Sequence, residues 1–275
     1  MNFFSPKELT ENYSAAGANK TRLSAGKVFF LGILAGFAIA LAGASASTAT
    51  HNLDTAGMVR LVSSVLFPFG LCTVVLLGGE LFTGNSLIVI SVLDKKASLG
   101  AMLKNWLVAY LGNFVGALMV AAGCVFSGQL NYSASGLAVT TIKIAVSKCS
   151  LMFGPALILG ILCNALVCIA VLQAFSAKDT AGKILGIFMP ICFFIVCGFE
   201  HSVANMFYIP AGLLAMTKDV YRDAAAAAGV NTEMLTWGNY LVKNLLPVTI
   251  GNIIGGAAVA LLMWYANLRG KNKAA

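Results

Sequence analysis

GGELFTGN at residues 78–85 and GFEHSVAN at 198–205 share the pattern G-x-E-x-x-x-x-N. A second matched pair follows each. KNWLVAYLGNFVG (104–116) aligns without a gap on KNLLPVTIGNIIG (243–255), with identity at six of thirteen positions that include the Gly-Asn-x-x-Gly core. From Glu80 to Asn113 is 33 residues and from Glu200 to Asn252 is 52; the 19 extra residues fit a polar connection over 216–240. The chain therefore reads as an internal repeat. If each half holds three membrane spans, the odd number makes the second half enter the bilayer the opposite way, an architecture that places a permeation site near the midplane.

Composition supports the spans. Hydrophobic residues make up 59% of the 275 and charged residues 10%, against roughly 25% charged in an average soluble domain. Apolar runs at 28–49, 61–93, 105–127, 149–175, 184–215 and 244–267 all exceed the ~18 residues of a candidate span. The expected fold is all-α integral membrane, with six transmembrane helices in two inverted three-helix repeats. The second and fifth runs, 33 and 32 residues long, are too long for one straight crossing. Gly78, Gly79, Gly84 and Gly198 permit a non-helical break inside each. Such a break is tolerated at membrane depth only where it is buried in protein or lines a cavity.

Lys27, the apolar stretch after it and Ala44-Ser45-Ala46 have the outline of a signal peptide. Glu8 and Glu11 precede it and the apolar stretch continues past the site, so residues 28–49 read as span one. The seven cysteines lie in apolar runs without a C-x-x-C pair or a histidine cluster, which argues against metal or disulfide chemistry; no cofactor is implied. The net charge of +8 reports topology before nucleic acid in such a chain. With the N-terminus cytoplasmic, twelve Lys and Arg fall inside and six (Arg60, Lys143, Lys148, Lys218, Arg222, Lys243) outside. Both termini are thus expected in the cytoplasm and the protein in the plasma membrane. The expected organisation is an N-terminal amphipathic segment (1–26), first repeat (27–130), second repeat (131–268) and tail (269–275). For residues 1–26 an interfacial helix and a partly ordered tail are both open.

Glu80 and Glu200 in apolar surroundings must be paired or hydrogen-bonded. Their matched placement favours structural support of the breaks, by accepting bonds from freed backbone amides, over a proton relay. Asn85 and Asn205 are expected to close the same loops. His201, at a break, can exchange a proton near neutral pH, and Thr83 offers a hydroxyl in the other break. Lys148 reads either as a snorkelling interfacial lysine or as an electrostatic lure for anions. The GxxxG pairs Gly32/Gly36, Gly112/Gly116 and Gly251/Gly255 allow close helix contact, within a protomer or between protomers.

GGELFTGN, KNWLVAYLGNFVG, GFEHSVANMFYIP and NLLPVTIGNIIGG, one in each of spans two, three, five and six, resemble the signatures of the formate/nitrite transporter family, most closely its formate channels. The resemblance covers essentially the whole chain. It implies an aquaporin-like fold, a homopentamer with one pore per protomer, and small monovalent anions such as formate, nitrite or hydrosulfide as permeants. By motif position it implies that Thr83, His201 and Lys148 are the loop threonine, central histidine and vestibule lysine. It further implies Asn164 and Asn252 as pore-facing asparagines and Phe67, Leu71 and Phe194 as constrictions. Glu80 departs from the aspartate of many formate channels, which leaves nitrite or hydrosulfide as alternative permeants. A water or neutral-solute pore is a more distant reading, because no Asn-Pro-Ala motif occurs. An enzyme would need a convergent acid, base and nucleophile, and the sequence places only Glu200 beside His201. A bare formate ion would meet a large desolvation cost in an apolar constriction, and neutral formic acid much less. Passage as the transiently protonated acid, bidirectional and pH-dependent, is therefore expected, with protons as co-partners.

Overall fold

The computed structural model describes residues 2–270, so Lys271, Lys273 and most of the 269–275 tail fall outside it. The regular structure of the described residues is helical, apart from one bridge pairing Phe3 with Ala177. Helix α1 (Pro6–Arg22) precedes α2 (Ala25–Thr50). Helices α3 (Ala56–Leu66) and α4 (Pro68–Leu77) meet at Phe67 in one crossing-length segment, and α5 (Phe82–Asn85), a short 3-10 turn and α6 (Val89–Leu93) complete that run. Next come α7 (Leu99–Phe126), α8 (Tyr132–Cys149), α9 (Phe153–Ser176), α10 (Thr180–Cys197), α11 (Ser202–Ala215) and α12 (Asp219–Ala227). The last segment joins α13 (Trp237–Asn239), a π-helical turn at Tyr240–Leu245 and α14 (Leu246–Asn267). Six helical segments among the described residues are long and apolar enough to cross a bilayer.

Local chemistry sets many of the helix ends. The hydroxyls of Ser24 and Ser98 and the carboxylate of Asp179 accept from the backbone N–H groups of Lys27, Ala101 and Gly182 at 3.3, 3.2 and 2.8 Å, caps of the kind worth about 1 kcal/mol each. Helices α4 and α10 end on Gly78 and Gly198, both left-handed, at φ 72° and 70°. The chain is then non-helical until Phe82 and Ser202. A Cβ on Gly78 would touch nothing within 4 Å, so Gly78→Ala isolates the cost of left-handed backbone, about 1–2 kcal/mol. Thermal unfolding in detergent is expected to show that loss; an unchanged transition would mean that the turn relaxes without strain.

Helix α2 packs on α7, and α9 on α14. A Cβ on Gly36 would run into the carbonyl of Asn113, and one on Gly255 into that of Ile161. The glycine pairs thus serve close contact inside one protomer, where hydrogen bonds and dispersion replace the hydrophobic drive that lipid does not supply.

Residues 1–26 hold a well-capped helix docked on the body. Ser5 and Glu8 form a capping box, with Ser5 N–H donating to Glu8 Oε2 at 2.8 Å. Leu9, Tyr13, Ser14 and Gly17 are buried, and Ser14 Oγ donates to Asp94 Oδ2 at 2.6 Å. Lys148 is the penultimate residue of α8, five residues before α9 begins at Phe153, and so lies outside the fourth crossing-length helix. The polar connection over 216–240 contains α12, whose Tyr221 and Ala225 are buried.

Candidate functional site

A helix that restarts inside a membrane exposes backbone N–H groups with no intrahelical partner and no water to satisfy them. Here side chains supply the partners. Asn113 Oδ1 accepts from Phe82 N–H at 2.9 Å, while its Nδ2 donates to the carbonyls of Gly32 and Glu80 at 2.8 and 2.9 Å. The Glu80 carboxylate accepts from Lys20 Nζ at 2.8 Å and from Asn85 Nδ2 at 2.6 Å. Asn105 Oδ1 takes the second Asn85 bond, at 2.8 Å.

The second break repeats this set of bonds. Asn252 Oδ1 accepts from Ser202 N–H at 2.9 Å, and its Nδ2 donates to the carbonyls of Gly160 and Glu200 at 2.8 and 3.0 Å. Glu200 accepts from Lys148 Nζ at 2.8 Å and Asn205 Nδ2 at 2.6 Å, and Asn205 Nδ2 also donates to Asn244 Oδ1 at 2.7 Å. Glu80 and Glu200 are thus bonded carboxylates at the breaks, each paired with one lysine. Pairing makes burial tolerable, since removing one partner of a buried pair is far costlier than the pair itself.

Between the two breaks the polar chemistry differs. Thr83 Oγ1 and His201 Nε2 lie 2.9 Å apart. His201 Nδ1 accepts from Ala204 N–H at 3.0 Å, so in the neutral ring Nε2 carries the hydrogen and donates it to Thr83. Phe194 stacks on the His201 ring, with centroids 6.0 Å apart at 22°, and Phe67 meets Phe194 edge-on at 5.8 Å. All four side chains are nearly or fully buried.

A cavity of about 430 Å³ is lined by Phe67, Phe194, Lys148, Glu200, His201 and Tyr208, among others. A second, of about 160 Å³, is lined by Leu71, Val74, Lys20, Asn85, Tyr13 and Phe175, among others. They share no lining residue. Phe67 and Leu71, one helical turn apart, face different cavities, and each cavity holds one lysine of a Lys–Glu pair.

The structure brings Thr83 and His201 into contact and gathers Phe67, Phe194, Lys148 and His201 around one cavity. Leu71 belongs to the other. Asn252 is wholly engaged with backbone, whereas Asn164 donates to the carbonyls of Thr83 and Asn252 at 3.2 and 2.6 Å and leaves its Oδ1 without a partner among the described residues. The sequence reading did not single out Lys20, Asn105, Asn113 or Asn244. The asparagines stand in the quoted repeat. Lys20 had a signal as well: KTRLSAGKVFFLGIL (20–34) and KCSLMFGPALILGIL (148–162) agree at seven of fifteen positions, pairing Lys20 with Lys148 and Gly32 with Gly160.

The family model described as formate/nitrite transporter matches residues 7–266. A probable formate transporter of Methanothermobacter thermautotrophicus is 40% identical, covering 97% of this chain and 98% of its own. The formate channel FocA of Haemophilus influenzae is 38% identical over 91% of this chain and 88% of its own. A solved pentameric formate channel with formate bound superposes with a TM-score of 0.77 at 33% identity, covering 88% of this chain and 96% of its own. With these likenesses and six crossing-length helices among the described residues, the chain belongs to the formate/nitrite transporter family of multi-pass membrane channels.

Proposed function

We propose that this protein is a channel for small monovalent anions, with formate the principal permeant, assembled as a homopentamer in the plasma membrane with both termini cytoplasmic. Its protomer is built of two inverted repeats around broken second and fifth helices, in an aquaporin-like arrangement. The matched bonds at the two breaks and the three aligned sequence pairs support the repeat. The relatives named as formate channels and the pentameric neighbour support the substrate and assembly.

The Thr83–His201 contact between two separate cavities, walled by Phe67, Phe194 and Leu71, carries the mechanism. A charged ion in such an apolar passage loses its hydration without replacement, and the cost falls when it becomes neutral. Formate enters a vestibule beside a lysine, takes up one proton to become formic acid, passes Thr83 and His201, and returns the proton on the far side. Thr83 and His201 exchange hydrogen bonds with the acid, and the free Asn164 Oδ1 is a candidate acceptor for its O–H. Asn252 serves as a brace of the break, together with Glu80, Asn85, Glu200 and Asn205.

Purified protein in liposomes is expected to pass formate in either direction, faster as pH falls toward the range where the acid form is populated. Lys148→Ala is expected to slow uptake several-fold, because it leaves the Glu200 carboxylate unpaired on the wall that the anion must pass. Unchanged uptake in both Lys148→Ala and His201→Ala would sink the mechanism. Competition with nitrite and hydrosulfide in the same assay tests the permeant, and selective water flux would point instead to a neutral pore.

A further inference from the structure

The larger cavity's half-buried lysine is not a free charge. Lys148 Nζ lies 2.8 Å from Glu200 Oε1, with 17% of its side chain exposed against 7% for the glutamate. At distances beyond a few ångströms such a pair is a dipole, and its pull on an incoming anion is weak. Yet the lining of this cavity contains two more cations, Arg60 and Lys143, and Glu200 is its only acidic residue among the described residues. Counting side chains, the cavity wall carries three positive charges and one negative. Among the described residues the smaller cavity has Lys20 as its only cation, and that lysine is paired with Glu80.

We infer that Arg60 and Lys143 form an anion-collecting pair at the mouth of the larger cavity, so that capture of the permeant is faster from that face than from the other. The inference rests on the reading of the chain as an anion channel. Both side chains are exposed, and neither forms an ion pair among the described residues. Arg60, on α3, is held over the second break: its Nη1 donates to the Val196 carbonyl at 3.3 Å, and its Nη2 lies 3.5 Å from where a Cβ on Gly198 would stand. Lys143, on α8, is a little over one helical turn before Lys148 on the same cavity wall. A low-dielectric cleft lined by one sign of charge focuses the field and raises the local concentration of the opposite ion. The gain concerns capture rate, because neither residue reaches Thr83 or His201 through any bond observed here. The asymmetry follows from the second cavity having no such excess.

The test is formate flux at subsaturating concentration in right-side-out and inverted membrane vesicles, for wild type, Arg60→Gln/Lys143→Gln and the charge-preserving Arg60→Lys/Lys143→Arg. At about 0.01 M salt, where screening extends to ~30 Å, the glutamine pair is expected to lose about three- to tenfold in rate, equally in both directions as a passive pore requires. The loss should disappear when salt is raised only on the side of the larger cavity, which the vesicle orientation selects. At about 1 M salt, where screening falls to ~3 Å, the difference should vanish, and the charge-preserving pair should behave as wild type. Lys143→Gln alone, an exposed change that breaks no bond at Val196, should give part of the loss. A loss independent of salt, or one removed equally well by salt on the side of the smaller cavity, would assign Arg60 to capping α10 and overturn the inference, as would no loss at all. Wild-type vesicles without formate flux would overturn the channel reading itself, and the inference with it.

Discussion

Glu200→Ala is expected to be the most destabilising single substitution at the breaks, at about 3–5 kcal/mol, the cost of orphaning one member of a buried ion pair. The carboxylate accepts from Lys148, Asn205 and Asn244 at 2.8, 2.6 and 3.3 Å. Its loss leaves a half-buried ammonium without its counter-charge and two fully buried amides without that acceptor. Glu80→Ala should follow, with a smaller cost because Lys20 is more exposed, at 26%, than Lys148 at 17%. Thermal unfolding of detergent-solubilised protein, read by loss of the monodisperse peak, measures both. The double change Lys148→Met/Glu200→Gln removes both charges and keeps an amide for Asn205. It should recover most of the loss, since a neutral replacement of a buried pair is often near neutral in stability. If Glu200→Ala unfolds at the wild-type temperature, the glutamate does not brace the break.

His201→Leu should have the largest effect on transport, with formate flux down about tenfold or more and the fold retained. The substitution keeps apolar contact with Phe194 but removes the partner of Thr83 Oγ1 and the acceptor for Ala204 N–H. The latter loss costs about 1 kcal/mol of helix capping, tolerable for a packed protein. For the permeant, one hydrogen-bonding group disappears from an otherwise apolar passage, raising the barrier by about 1–3 kcal/mol, and each 1.36 kcal/mol is tenfold in rate. Thr83→Val should act in the same direction with a smaller effect, because the histidine remains to bind the acid. Stopped-flow formate uptake in liposomes, normalised to reconstituted protein, reads both. Wild-type flux in His201→Leu would remove the histidine from the pathway.

The parts of the fold that a bilayer dictates were readable before any coordinates. Apolar runs must be long and every backbone group satisfied, so the six crossing-length helices and the turns at Gly78 and Gly198 left plain marks in composition and glycine placement. That Glu80 and Glu200 must be bonded was legible for a related reason, but the expected partners were not the ones found: the freed backbone amides go to Asn113 and Asn252, and the carboxylates accept from lysine and asparagine side chains. Asn252 was harder. A buried asparagine has the same one-letter signature whether its amide faces a pore or holds a carbonyl, and only the bonds to Gly160 and Glu200 distinguish them. Apolar periodicity passes over Lys20, because α1 is polar on one side, and its only mark in the sequence is the repeat that pairs it with Lys148. The neutralisation of Lys148 joins residues 52 apart in sequence, a distance over which pattern carries no information about contact.

The bonds around each break also bear on how the chain is made. Every partner of the first set lies between Lys20 and Asn113, and every partner of the second between Lys148 and Asn252. The earlier set can close while the later half is still on the ribosome, so no buried glutamate has to wait unpaired in lipid for a distant segment to arrive. What must wait is the junction between them, where Thr83 meets His201 and Asn164 reaches the Thr83 carbonyl. Synthesis thus delivers two separately stitched units, and the conduit comes into being only when they meet.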